Sequence, residues 1–314
     1  MAISKIEPPE DVNSLVRFSD SLAAAVEVGA HCVVCVKARR RFPSSGVHWR
    51  AGVIVTADHT IERDDDVSVV LPDGRSVAAS IAGRDSTTDV AALRLDAVQL
   101  PTADFAEAAA LRPGHLTLAI ARSGQGSVST SLGVMSAIGE AWTAWGGGQI
   151  DRLLRPDLDL YPGFSGGPLV DAGGRVIGIN TSGLSRRIDV TIPAATVDRV
   201  LDQLLAHGRI SRGYIGVGVQ EVRIPERLQS GLRLANEDAL IVLSLEAGGP
   251  AESAGLMIGD VIVAVDGSAL EDTDDLQRFL THRHVGKAIA LRIVRGGELV
   301  DKQVVVAQRP EAED

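Results

Sequence analysis

Cysteine, aromatic residues and long apolar runs are all scarce in this 314-residue chain, and each shortage closes off a class of protein. With only two cysteines, Cys32 and Cys35, no disulfide framework can hold the fold, so a packed core must do so. The pair lies in His31-Cys32-Val33-Val34-Cys35-Val36, where strand residues three apart face opposite ways. That spacing suits neither a shared metal nor a bridge, and both thiols read as small buried hydrophobes. No run of about eighteen uncharged apolar residues occurs, because Glu27 and His31 interrupt the best candidate, so no transmembrane helix is expected. Residues 1–18 carry Lys5, Glu7, Pro8, Pro9, Glu10 and Asp11 without the apolar stretch of a secretion signal, and the expectation is a cytoplasmic protein. Basic residues are outnumbered, 31 against 41. The resulting charge of −10 repels phosphate backbones and anionic lipid, which argues against nucleic acid and membrane as partners.

What is present reads as a two-domain, mostly β protein. Glycine is abundant at 33 residues, and short Val/Ile-rich runs alternate with Gly, Asp and Asn clusters. Leu15, Phe18, Leu22, Ala25 and Val26 recur at helical spacing and predict an N-terminal helix over about 12–28. Strand-like runs follow at 33–36, 52–55, 67–71, 90–95, 116–121, 132–138, 169–170 and 176–179, a density that means a sandwich or barrel. A helix carrying Val197, Val200, Leu201, Leu204 and Leu205 and capped by Gly208 closes the first domain. After it come further strands at 214–219, 240–245, 261–265, 288–294 and 304–306. Two helical patches lie among them, one at 250–254 and one after Thr273 that presents Leu276, Phe279 and Leu280 on one face. The divisions are therefore 1–29, a helical segment; 30–208, the first domain; 209–308, the second; and 309–314, a tail.

The chemistry centres on Tyr161-Pro162-Gly163-Phe164-Ser165-Gly166-Gly167-Pro168. A serine on such a turn can project its oxygen into a cleft, while the amides of Gly163 and Ser165 converge on a developing oxyanion. By itself this is also the composition of a plain turn, so its partners decide. A serine hydroxyl needs an imidazole to take its proton and a buried carboxylate to hold that imidazole. Of seven histidines, His207 ends a helix, His282 and His284 fall in the second domain, and His31 and His115 sit at strand edges. His48 flanks Trp49 and Arg50 in what reads as a turn. His59, directly after the apolar strand Val53-Ile54-Val55, is left at a rigid strand end. The matching carboxylate is Asp89, at the entry to the strand Val90-Ala91-Ala92-Leu93.

Thr56-Ala57-Asp58-His59, Thr88-Asp89-Val90-Ala91 and Gly163-Phe164-Ser165-Gly166-Gly167-Pro168-Leu169 stand in the order His, Asp, Ser. Thirty residues separate the first pair and 76 the second. This pattern resembles the HtrA (Deg) branch of the chymotrypsin-like serine proteases, and the likeness runs on through Val176-Ile177-Gly178-Ile179-Asn180-Thr181 and Ile192-Pro193-Ala194-Ala195. The second domain is similar to the PDZ module that follows such proteases, in Arg212-Gly213-Tyr214-Ile215-Gly216-Val217, Gly248-Gly249-Pro250-Ala251 and Gly259-Asp260-Val261-Ile262.

The resemblance implies a double β-barrel of two six-stranded cylinders with the site between them, then a PDZ domain. It implies Ser165 as nucleophile, His59 as general base and then acid, Asp89 as its orienter, and the Gly163 and Ser165 amides as oxyanion donors, without metal or cofactor. Asn180, Thr181 and Ser182 would pair with the substrate backbone. In the PDZ domain, Tyr214, Ile215, Gly216 and Val217 would receive a peptide C-terminus beside a pocket lined by Leu276 and Leu280. The implied activity is ATP-independent cleavage of unfolded or damaged proteins, with a homotrimer joined near Phe18. A peptide-binding or chaperone-like scaffold with a silent protease domain is the other reading, and the presence of all three of His59, Asp89 and Ser165 favours the enzyme. Three positions depart from the family pattern. Phe164 stands where asparagine is usual. Asp58 is expected to raise the pKa of His59 if its carboxylate reaches the ring. Asp159, six residues before Ser165, would favour basic side chains at the cleavage position if it points inward, and a shift of register would send it to solvent.

Overall fold

The computed structural model describes residues 10–96, 99–144, 147–185, 189–210, 213–280 and 284–308, so the expected tail at 309–314, His282 and Arg212 of the second-domain motif lie outside the described residues. The chain divides into two units, one up to residue 209 and one from 210, a single residue from the expected boundary.

In the first unit helix α1 (Glu10–Ala30) leads into strands β1 (Val33–Lys37), β2 (Ser44–Arg50), β3 (Val53–Thr56), β4 (Ser68–Val70), β5 (Ser76–Ala78), β6 (Ser80–Asp85) and β7 (Val90–Arg94). These seven form one antiparallel sheet in the order β5-β4-β1-β2-β3-β7-β6 rather than the six-stranded closed cylinder expected. β5 and β6 are its opposite edges, yet only Ala79 joins them. With one residue between them, the end of β5 and the start of β6 lie within about 7 Å, so the sheet has to curl until these ends come together, which makes it barrel-like in shape. Its filling is aliphatic, with Val34, Val36, Ile54, Val69, Ala91 and Leu93 wholly buried.

The next strands are β8 (Leu116–Arg122), β9 (Val128–Ile138), a hairpin of β10 (Trp142–Thr143) and β11 (Gln149–Ile150), β12 (Leu154–Asp157), β13 (Pro168–Asp171), β14 (Val176–Thr181) and β15 (Val190–Pro193). Six of them close a second barrel in the order β12-β15-β14-β13-β8-β9. Closure between β9 and β12 requires a glycine, since a Cβ on Gly133 would collide with the Asp157 carbonyl. Helix α2 (Ala194–His207) buries Val197, Val200, Leu201 and Leu204. It stops as expected at Gly208, whose left-handed φ of 74° lets its amide donate to Leu204 O.

The second unit contains β16 (Gly213–Tyr214), β17 (Val217–Arg223), α3 (Glu226–Leu232), β18 (Asp238–Leu245), α4 (Pro250–Ser253), β19 (Val261–Val265), β20 (Ser268–Ala269), α5 (Thr273–Phe279), β21 (Ala288–Arg295), β22 (Glu298–Val305) and β23 (Ala307–Gln308). Its sheet runs β17-β18-β19-β21-β22, and among the described residues one edge of β17 has no strand partner.

Three expectations change. The run around His48 is not a turn but β2. Its polar Ser44-Ser45-Gly46 hides a strand that is almost entirely buried, and both ring nitrogens of His48 are engaged, Nδ1 with Pro101 O and Nε2 with the Gly52 amide. The strand expected at 214–219 is broken at Ile215-Gly216, where Gly216 takes φ 75°. Helix α5 is capped by Asp272, whose carboxylate accepts from the Asp275 amide, so Thr273 is its first helical residue rather than its cap. Burial pushes the free Cys32 thiol up to about 12 and Cys35 up to about 11, so both stay protonated at neutral pH.

Candidate active site

β3 delivers the chain to a single 3-10 turn at Asp58–Thr60, and this turn aims His59. Asp89 ends the loop before β7 in the left-handed region, φ 57°, a conformation aspartate tolerates better than most residues. Its carboxylate is 4% exposed and fully used. Oδ1 accepts from the His59 backbone amide at 2.8 Å, Oδ2 lies 2.8 Å from His59 Nδ1, and Thr181 Oγ1 donates to Oδ2 as well. A carboxylate held this way fixes the His59 tautomer with its proton on Nδ1 and leaves Nε2 open.

The serine loop is pinned to the first barrel through Ser45, a residue that nothing in the sequence pattern singled out. Ser45 Oγ donates to Gly163 O at 2.8 Å, and its amide donates to Ser165 O at 3.2 Å. Within the loop Phe164 N donates to Tyr161 O and Gly167 N to Phe164 O, so the peptides on either side of Phe164 are fixed. Gly163 takes φ 101°, open in practice only to glycine. Among the described residues no acceptor faces the amides of Gly163 or Ser165. Phe164 is buried among Met135, Leu169 and Ile177 in the second barrel's core and meets Tyr161 edge-on at 5.9 Å, so it props the loop from below.

Two contacts bring Ser165 alongside the His59–Asp89 pair. Ser165 Oγ lies 3.4 Å from Ser182 Oγ. The next residue, Gly183, backs so closely on the pair that a Cβ there would sit 2.6 Å from His59 Nδ1 and 2.8 Å from Asp89 Oδ2. The Ser165 hydroxyl is bonded to Ser182, and among the described residues no hydrogen bond joins it to His59.

The other expected residues are placed differently. Asn180 and Thr181 do not offer themselves to a substrate backbone, because Asn180 exchanges hydrogen bonds with Gly166 and Gly167 and Thr181 pairs with Val190 inside the barrel. Thr181 instead holds Asp89, and Ser182 alone of the three is exposed. Asp58 does not reach His59. It is 5% exposed and its carboxylate meets Arg84 Nε at 2.6 Å, while Arg84 also donates to Ile61 O at 3.0 Å and so clamps both ends of the turn that carries His59. Asp159 is exposed and accepts from Tyr161 Oη at 3.4 Å. A cavity of about 650 Å³ in the first unit, lined by Leu111, His115, Leu154, Ile177 and Pro193, contains none of these groups.

In the second unit Ile215 and Leu276 are core residues, 1% and 3% exposed, and Leu280 packs against that core while its carbonyl accepts from Gly213 N. Among the described residues no acceptor faces the amides of Ile215 and Gly216, which lie where the open edge of β17 begins at Val217.

Fold and site together define a trypsin-like peptidase unit followed by a PDZ unit. The family model described as a trypsin-like peptidase domain matches residues 44–179, and that described as a PDZ domain matches residues 213–306. The solved structure "HtrA-type protease AlgW with tripeptide" is 31% identical, with a TM-score of 0.74 over 92% of this chain and 98% of that one. A "Probable periplasmic serine endoprotease DegP-like" of Brucella suis is 36% identical over 267 residues, 82% of this chain and 51% of that protein. A "Serine protease Do-like HtrA" of Lactobacillus helveticus is 34% identical over 81% of this chain and 64% of its own length. The chain belongs to the HtrA family of serine proteases, with one PDZ domain. It spans about half the length of the Brucella relative. The expectation of a cytoplasmic protein is corrected by these comparisons, since the DegP-like relatives are named periplasmic.

Proposed function

We propose that the chain is a serine endopeptidase of HtrA type that cleaves unfolded polypeptides. The observation that carries this is the seat of the Ser165 hydroxyl on the Ser182-Gly183 segment that backs the His59–Asp89 pair. In the proposed mechanism rotation about χ1 of Ser165 carries its hydroxyl from Ser182 to His59 Nε2, at the cost of one weak hydrogen bond. The hydroxyl proton then passes to Nε2 as Oγ bonds to the scissile carbonyl carbon, and the oxyanion settles against the Gly163 and Ser165 amides. His59 returns the proton to the departing amine, leaving an ester on Ser165 that water cleaves by the same steps. No step requires a nucleotide or a cofactor. The exposed Leu15, Val16 and Phe18 of α1 support self-association through that helix, with a homotrimer as the proposed assembly.

The bond from Ser165 to Ser182 keeps a second reading in play, a peptide-binding scaffold without turnover. A fluorophosphonate decides between them: labelling of the wild type and none of Ser165→Ala is the expected result, and an unlabelled wild type selects the scaffold.

The PDZ unit is proposed to bind peptide C-termini. A peptide would add as a strand to the open edge of β17, with its terminal carboxylate on the free amides of Ile215 and Gly216. Amidating the C-terminus of such a peptide is expected to weaken binding about tenfold or more, read by fluorescence anisotropy with the full chain. Equal binding of acid and amide would reject the cradle.

A further inference from the structure

We propose that Asp189, with Asp159 beside it, forms the wall that receives the side chain on the acyl side of the cleaved bond, and that the chain therefore cleaves after lysine or arginine. The proposal rests on the endopeptidase reading above and deepens it to a substrate class.

β14 and β15 pair antiparallel with Asn180 opposite Thr191 and Thr181 opposite Val190. Extending that register by one residue sets Ser182 opposite Asp189. Opposed residues of an antiparallel pair have Cβ atoms about 5 Å apart. Alternation puts Asn180 and Ser182 on one face of β14, and Asp189 and Thr191 on the same face of β15. Since Ser182 Oγ is 3.4 Å from Ser165 Oγ, that register puts Asp189 next to the residue that touches the nucleophile. The carbonyl that Ser165 attacks is one bond from the Cα whose side chain must lie along this wall.

Asp189 is half-buried, and burial, then the neighbouring charge of Asp159, raises its pKa above the ordinary carboxylate value. The two acids are therefore close enough to repel. Neither has an ion-pair partner among the described residues, and Asp159 takes one long hydrogen bond from Tyr161. Two carboxylates without an ion-pair partner among the described residues, one of them partly desolvated, gain most from a cation that arrives between them. An apolar side chain would leave that repulsion in place and remove more water from it. The same wall holds a second unfilled group. Asn180 is wholly buried, its Oδ1 accepts from Thr191 Oγ1 at 3.0 Å, and its Nδ2 has no partner. A water bridging to the incoming ammonium or guanidinium would satisfy that donor.

The test has two arms. In the first, quenched peptides identical except for Arg, Lys, Val or Glu before the cleaved bond are compared on the wild type, on Asp189→Asn and on Asp159→Asn, with thermal unfolding as the control for folding. The expected kcat/KM is about tenfold or more higher for Arg and Lys than for Val, with most of that advantage lost in Asp189→Asn. Equal rates for Arg and Val, or a preference for Val or Glu, overturn the proposal while leaving the peptidase intact. In the second arm, p-aminobenzamidine is titrated into Ser165→Ala by its fluorescence, which needs no turnover. Binding that Asp189→Asn abolishes supports the wall even if no peptide is cleaved, in which case the endopeptidase reading alone fails. Absence of binding together with absence of cleavage overturns both.

Discussion

Asp89→Asn is expected to lower kcat by about 10⁴ while leaving the fold and KM nearly unchanged. Asparagine accepts the same left-handed backbone that Asp89 adopts at φ 57° and has the same volume, so the loop before β7 has no reason to move. The hydrogen bonds decide the outcome. One oxygen of Asp89 accepts from the His59 amide, and the other faces His59 Nδ1 and the Thr181 hydroxyl. An asparagine keeps its single oxygen for the backbone donor and turns its NH₂ toward the ring. Thr181 can rotate its hydroxyl to accept from that group, and His59 can adapt only by accepting at Nδ1. Its proton is then on Nε2, where a base must be empty. Steady-state kinetics on a quenched unfolded substrate, with circular dichroism as the control, measure the effect. A loss of less than about tenfold would mean that the His59–Asp89 couple is not the one that serves Ser165.

The parts of this site that could be read from sequence are those specified by local turn chemistry. Gly163 and the glycines after Ser165 announce a strained turn in their own composition, and the φ of 101° at Gly163 is that turn. His59 follows an apolar strand and Asp89 precedes one, so both sit at rigid ends that a period-two pattern marks. What could not be read depends on cross-strand register or on burial by another element. β2 looks polar because Ser45 is buried by the serine loop it pins, and no alternation within its own strand reports that. The family resemblance places Thr181 on the substrate backbone, whereas in the fold it pairs with Val190 and its hydroxyl donates to Asp89. The significance of Asp189 likewise exists only through the β14–β15 register. Asp58 is the clearest case. Its neighbour in sequence is His59, but consecutive residues of a 3-10 turn point apart, and its partner Arg84 lies in β6, 26 residues on.

That ion pair carries the second large effect. Arg84→Met is expected to destabilise the first unit by about 2–4 kcal/mol near neutral pH, below the figure for a fully buried pair because the Arg84 side chain is 34% exposed. Methionine keeps the stem that covers the turn and removes the charge, which strands Asp58 at 7% side-chain exposure. In the wild type, burial already raises the Asp58 pKa above its ordinary value, Arg84 pulls it down in part, and the charges of Asp89 and Asp85 push it up. Without Arg84 the upward causes act alone. A folded pKa above the unfolded one means that the folded state holds the proton more tightly, so the stability of the variant falls as pH rises from the ordinary carboxylate range through the folded pKa. The difference between variant and wild type should therefore be small at about pH 4.5 and widest above neutrality, the reverse of acid denaturation. Urea unfolding at the two pH values measures it, and adding Asp58→Asn should recover most of the loss by removing the stranded charge. A penalty that is the same at both pH values, or that persists in the double variant, would locate the role of Arg84 in its bonds to Ile61 and Asp64 and not in the charge of Asp58.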